Sequence, residues 1–277
     1  MNYTELQLTV SPDYTDMLMA ELAELGFESF VETDDGLNAY ILEPDFDETA
    51  VRAVVDKYAD QTAIAYQLHS LEKKNWNEEW ERNYQPIDVQ DQIRVRASFH
   101  EPVSTVRYDI VINPKMSFGT GHHETTAMML EHQLSVDAAG KTVLDVGSGT
   151  GILAILAALQ GAERVVAFDI EEWAVENARE NADLNQCSGI EVFQGTIHEV
   201  NPEERFDIVL ANINRNVLLA DIPAYVRRMK PEATLLVSGF YQQDAVDIEE
   251  KAQAEGLTKT GQLSRNNWVS LRFTRTP

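Results

Sequence analysis

Val143-Leu144-Asp145-Val146-Gly147-Ser148-Gly149-Thr150-Gly151 is the stretch on which the reading of this chain turns. An apolar, β-branched run ends in an acid, and three glycines then alternate with small polar residues. The strongly helical stretch ILAILAALQ, 152–160, begins at once. This is the pattern of a buried parallel strand, a tight glycine loop and a helix N-terminus. Glycines at 147, 149 and 151 let the backbone turn sharply and let a ligand approach it without meeting a Cβ. A second β-branched run, 164–168, delivers Asp169 to the same edge of the sheet. A carboxylate placed there accepts the hydroxyls of a ribose. A nucleoside is the expected ligand.

The spacing narrows the choice. A dinucleotide fingerprint reads G-x-G-x-x-G/A over a pyrophosphate. Here the third glycine comes one position early, Ile152 takes the reserved slot, and Asp145 would repel a pyrophosphate. A cationic ligand would welcome that charge. The loop resembles the first motif of class I S-adenosylmethionine methyltransferases, whose cofactor carries a sulfonium, an amino group and a ribose. Two glycines in a strand-to-helix turn are often only structural. Strand, acid, three glycines, helix and second acid together outweigh that reading.

The flanking pattern supplies the architecture. Strands near 190–194, 206–211 and 233–238 alternate with helices at 171–185, 214–229 and 241–255, as in a doubly wound parallel sheet. Two successive strand-like runs, 257–263 and 268–274, resemble the closing antiparallel hairpin of the seven-stranded methyltransferase sheet. Strands at 93–97 and 108–112 lead into the loop NPKMSFGTGHHETT and a helix to about 134. Residues 2–72 read strand, helix, strand, strand, helix, strand, with Asp34-Asp35-Gly36 as a hairpin turn and Asp47 as a helix cap. That order is the ferredoxin-like split β-α-β arrangement. Between the two lies the polar helix KKNWNEEWERNYQP, with Trp76, Trp80 and Tyr84 at four-residue spacing. The expected division is a small α+β recognition domain at 1–72, a helical connector at 73–86 and a Rossmann-like α/β domain at 87–277.

Composition excludes several classes. A hydrophobic fraction of 44% and a charged fraction of 25% describe an ordinary globular protein. No apolar run approaches the ~20 residues of a membrane span. The N-terminus lacks the basic start and apolar core of a signal peptide. Cys187 is alone, so no internal disulfide or cysteine metal spacing arises. A cytoplasmic location is expected. With 22 Lys+Arg against 46 Asp+Glu, the formal charge of −24 repels nucleic acid phosphates and favours basic partners. His122, His123 and Glu124 suggest a metal at first sight. Adjacent loop histidines point apart and no third ligand is near in sequence, so no metal is expected.

Asn212 follows the strand 206–211, whose C-terminal end faces the ligand crevice of such a sheet. Its carbonyl could orient a nucleophile while its amide is held elsewhere. DNA and RNA adenine methyltransferases carry Pro-Pro-aromatic after this residue. This chain has Ile213 and Asn214, which argues against nucleobase chemistry.

Taken together, SFGTGHHETT, NWNEEWERNYQPI, VLDVGSGTG, the FDI that contains Asp169, and VLANI resemble the ribosomal protein L11 methyltransferase family. The likeness runs from about Trp76 to the C-terminus. It implies a class I methyltransferase fold with S-adenosylmethionine as cofactor, held by Thr126, Gly147, Asp169 and Asn212. Asp145, Gly149 and Gly151 join that set from the glycine-loop reading. It implies a basic ribosomal protein as substrate, methylated on lysine side chains with the α-amine as a further candidate. On chemical grounds the Asn212 carbonyl would orient the amine, and His122 is the candidate proton acceptor. No direct nucleic acid binding and a monomeric chain are expected. Another protein or a small molecule as acceptor, and a non-catalytic cofactor-binding assembly factor, stay open. The sequence departs from the family in Asn214-Arg215-Asn216-Val217, and Gly195-Thr196 stands where many class I enzymes hold an acid near the adenine.

Overall fold

The computed structural model describes residues 3–33, 35–71, 85–113 and 123–276. Trp76, Trp80 and Tyr84 of the expected connector, and the loop through His122, lie outside the described residues. The chain divides into two compact units, Met1–Asn83 and Tyr84–Pro277.

In the first unit β1 (Tyr3–Thr9), α1 (Thr15–Glu24), β2 (Ser29–Thr33), β3 (Gly36–Leu42), α2 (Glu48–Tyr58) and β4 (Ala65–Leu71) follow one another. Along β1 the side chains of Thr4, Leu6 and Leu8 are buried while their neighbours are not, the period of a half-buried strand. All pairings are antiparallel and the sheet order is β2-β3-β1-β4, the order of the split β-α-β arrangement. Leu22 of α1 and Val51 of α2 complete a core with Leu6, Leu37 and Ile41. Asp47 starts α2 as expected, its Oδ1 accepting the Thr49 and Ala50 amides at 2.8 and 3.3 Å. Such a cap is worth about 1 kcal/mol.

The second unit opens with a small sheet that the sequence pattern only half discloses. β5 (Ile87–Val89), β6 (Ile93–Arg96) and β7 (Tyr108–Val111) form it, β5 antiparallel to β6 and β6 parallel to β7. There follow α3 (Glu124–Leu134), β8 (Thr142–Val146), α4 (Ile152–Leu159), β9 (Arg164–Asp169), α5 (Glu172–Leu184), β10 (Glu191–Gln194), β11 (Phe206–Asn212), α6 (Arg215–Arg228), β12 (Met229–Tyr241), α7 (Ala245–Ala254), β13 (Leu257–Arg265) and β14 (Trp268–Arg275). The order of the large sheet is β10-β9-β8-β11-β12-β14-β13. β8 to β12 pair in parallel, and β14 runs antiparallel to both its neighbours.

Both faces of this sheet are covered, which is why its central strands read as continuous apolar runs. Leu144, Val209 and Leu235 pack with Ile222 and Tyr225 of α6 on one face. Val143, Leu210 and Leu236 pack with Leu130 of α3 and Ile155 of α4 on the other. Each large side chain buried this way contributes roughly 1.5–3 kcal/mol. β8 is flanked by β9 on one side and β11 on the other, so the strand order reverses there. Ligands of open α/β sheets bind beyond the strand C-termini at such a switch point.

Candidate active site

A cavity of about 590 Å³ opens at the C-terminal edge of the large sheet. Its wall follows the strand order: Thr196 after β10, Asp169 ending β9, Gly147 and Gly149 after β8, Asn212 ending β11, and Gly239 in β12. The volume suits a cofactor-sized ligand. Another cavity, of about 430 Å³ and lined by Lys141, Asp207 and Arg272, lies at the opposite edge, where β8 and β11 begin.

The glycine loop is fixed by its own backbone and by β9. The Ser148 amide donates to the Phe168 carbonyl at 2.9 Å, and the Gly149 amide to Asp169 Oδ2 at 2.9 Å. Gly147 sits at φ +66°, and a Cβ on it would lie 2.4 Å from Ile213 Cγ2. Only glycine leaves that floor open. Gly151 does not line the cavity. It is the N-cap of α4, and a Cβ there would come within 3.1 Å of the Ala178 Cβ on α5. Its role in the structure is close helix packing beneath the loop.

Asp169 lines the cavity, with Oδ1 accepting the Glu171 amide at 3.1 Å. Asp145 is placed otherwise, and here the expectation of a charge facing the ligand is corrected. Its carboxyl is 1% exposed and is not among the residues lining the cavity. Oδ2 accepts the Ala154 amide at 3.1 Å, while Oδ1 has no partner among the described residues. Burial, and to a lesser degree the nearby Asp169 carboxylate, pushes this carboxyl up to about 7 against the opposing pull of the Ala154 amide. It braces the start of α4 from behind the loop.

At the other end, the Asn212 amide donates to the Thr126 hydroxyl at 3.3 Å. Thr126 is fully buried on α3 and does not itself line the cavity. The Asn212 carbonyl oxygen is buried and unpartnered among the described residues. Asn214 beside it caps α6, its Oδ1 accepting the Val217 amide at 3.1 Å. His123 caps α3 by accepting the Thr125 amide at 3.3 Å, and its ring lies 4.7 Å from that of Trp268. Tyr241 extends this aromatic wall, with its ring 4.1 Å from Trp268. An aromatic face of this kind attracts a cation.

Asn181 of α5 and its C-cap Asn185 tie the preceding segment in place. Asn185 accepts the Val111 amide at 2.8 Å and donates to its carbonyl at 2.7 Å. Asn181 accepts the Asn113 amide and donates to the Thr150 carbonyl, both at 3.0 Å. The glycine loop and the exit from β7 are thus held by one side chain. Sequence reading missed this ladder, although an Asn every fourth residue on a helix was visible. It also missed Trp268, Tyr241 and Asp221, all at or beside the cavity.

A reversed parallel sheet of this order, closed by an antiparallel β14, with a glycine loop, a ribose-type acid and a strand-end asparagine, defines a class I S-adenosylmethionine-dependent methyltransferase. The comparisons carry this to a family. The family described as ribosomal protein L11 methyltransferase (PrmA) matches residues 3–276, and the chain belongs to it. It is 43% identical to the ribosomal protein L11 methyltransferase of Phocaeicola vulgatus over 99% of each chain. It is likewise 43% identical to that of Bacteroides thetaiotaomicron, over 99% of this chain and 100% of the relative. Among solved structures it resembles a ribosomal protein L11 methylase from Lactobacillus delbrueckii subsp. bulgaricus, with a TM-score of 0.63 and 25% identity over 70% of this chain and 99% of the other.

Proposed function

We propose that this chain methylates amines of large-subunit ribosomal protein L11, chiefly lysine side chains with the N-terminal α-amine as a further acceptor. The observation that carries the reading is the buried, unpartnered Asn212 carbonyl oxygen at the end of a cavity shaped for a nucleoside cofactor. The residues fit S-adenosylmethionine: Gly147 and Gly149 offer an open floor, Asp169 a carboxylate for ribose hydroxyls, and Asn212 an acceptor at the far side of the loop. When bound, the cofactor supplies an electrophilic methyl group.

The remaining work is alignment and proton removal. Positioning supplies roughly 7–11 kcal/mol of barrier reduction in well-oriented reactions. A lysine with pKa ~10.4 costs about 4.6 kcal/mol to hold neutral at pH 7, and an α-amine near 7.8 about 1 kcal/mol. A carboxylate at the acceptor position would deepen that penalty by favouring the ammonium. Asn212 accepts an amine N–H through a neutral carbonyl and so aims the lone pair while favouring the charged form less than a carboxylate would. His122 is the proposed proton acceptor on chemistry alone, since an imidazole ionises near pH 6.5. The net charge of −24 supports a basic protein substrate. The first unit, which has its own core and no residue of this cavity, is the proposed recognition element.

Incubation with tritiated S-adenosylmethionine and total ribosomal protein lacking methylation tests this reading. Label on L11 alone is the expected result. Label spread over many proteins, or on none, overturns it.

A further inference from the structure

Asn214, the N-cap of α6, and Val217 and Asp221 within the helix line the cavity at positions i, i+3 and i+7. With a rise of about 1.5 Å per residue, that face runs roughly 10 Å from the Asn212 end to Asp221. Asp221 shares the cavity with Thr196 and Ile197, which follow β10, the strand beyond Asp169. If the Asp169 carboxylate takes the ribose and Asn212 marks the reacting end, the base lies towards β10. Phe168, Ile170, Ile197 and Val217 are among the apolar residues of the cavity lining.

A purine stacked there still needs a polar partner for its exocyclic amine. The Thr196 hydroxyl is already engaged twice, donating to Glu199 Oε2 at 2.6 Å and accepting the His198 amide at 3.2 Å. The Asp221 carboxylate makes no hydrogen bond among the described residues. We propose that Asp221 accepts the 6-amino group of the cofactor's adenine and makes this chain selective for that base. The acid absent at Gly195-Thr196 is thereby supplied from the facing helix. Burial shifts the half-buried carboxyl upward, opposed by the nearby His198.

The proposal rests on the S-adenosylmethionine reading of the cavity, and the experiment separates the two. Calorimetry compares S-adenosylhomocysteine with its analogue whose base is unsubstituted purine, lacking the amine, on the full-length wild type, Asp221→Asn and Asp221→Ala. Wild type is expected to prefer the amino compound by about tenfold to a hundredfold, the scale of a hydrogen bond to a charged group. In Asp221→Ala the preference falls within threefold, because the partner is gone. In Asp221→Asn it is intermediate, because a neutral carbonyl still accepts, and the purine analogue binds as it does to wild type. A wild-type preference below threefold overturns the proposal without any variant, and so does an unchanged preference in Asp221→Ala. Binding of neither compound by wild type overturns the cofactor reading itself.

Discussion

The Asn212 side-chain amide and the Thr126 hydroxyl are 3.3 Å apart, and this one bond holds the Asn212 amide nitrogen to α3. With the nitrogen committed to α3, the carbonyl oxygen of this cavity-lining residue is left without a partner among the described residues. A strand end and a helix 86 positions away in sequence therefore share control of the proposed nucleophile's orientation.

Asn212→Ala should lower kcat about a hundredfold while changing cofactor Kd only a few-fold, since misplacement of a reacting group by 1 Å costs on that order. Thr126→Val keeps the shape but removes the anchor, so kcat should fall by a smaller factor, about tenfold. Single-turnover rates with calorimetry separate the two quantities. Equal losses in kcat and affinity for Asn212→Ala would assign the residue to binding and not to orientation.

Three glycines with left-handed backbones should respond very differently to alanine. At Gly140, φ is +66° and a Cβ would meet nothing within 4 Å, so only the dihedral cost of about 1–2 kcal/mol applies. At Gly239, φ is +98° and the Cβ would lie 2.3 Å from the Ile213 carbonyl oxygen, a backbone atom that cannot move aside alone. Gly147→Ala meets the Ile213 side chain instead, which can rotate. Denaturant midpoints should rank Gly239→Ala as the most destabilised and Gly140→Ala as the least. Gly239→Ala should also weaken catalysis, because Ile213 follows Asn212 directly. Indistinguishable midpoints for Gly239→Ala and Gly140→Ala would refute the argument.

Asp145 predicts a pH signature. Its folded pKa lies near 7, above the ordinary 3.8, with burial as the main cause. Between those values the folded chain holds a proton that the unfolded chain releases. Its contribution is therefore unpenalised below about pH 4, declines as pH rises towards 7, and is constant above. The full difference is of order 4 kcal/mol. Asp145→Asn removes the ionisation, so its stability relative to wild type should grow between pH 4 and 7 and then level off. Urea unfolding at pH 4.5, 6 and 8 measures this, and a difference that does not vary with pH would count against a neutral, buried carboxyl.

Much of this architecture was legible because it rests on local signals. The run 143–151 announces strand, loop and helix in nine residues, and Asp169 follows from the next apolar run. Asp47 as a cap and the antiparallel close of the sheet are equally local. What escaped depends on tertiary pairing. β5 is three residues long, and its sheet exists only because β6 and β7 meet in parallel. Trp268 and Tyr241 lie far apart in sequence, and the β12–β14 register places them opposite each other. Asp145 looked like a ligand-facing charge because strand alternation near a loop does not say which face the ligand takes. Asp221 is not legible from sequence because the adenine-side acid of this fold class follows β10, whereas here α6 contributes an acid to the cavity lining.

The two units have separate cores: Leu6, Leu22, Leu37 and Ile41 belong to the first, and Leu144, Val209 and Leu235 to the second. All residues lining the cofactor cavity belong to the second unit. A chain of residues 84–277 should therefore fold and bind S-adenosylhomocysteine within a few-fold of the full-length protein. Its methylation of folded L11 should be lost, because the proposed recognition element is absent. A short lysine peptide at high concentration should still be modified slowly, since the site itself is intact. Normal activity of the truncated chain on folded L11 would show that the first unit does not select the substrate.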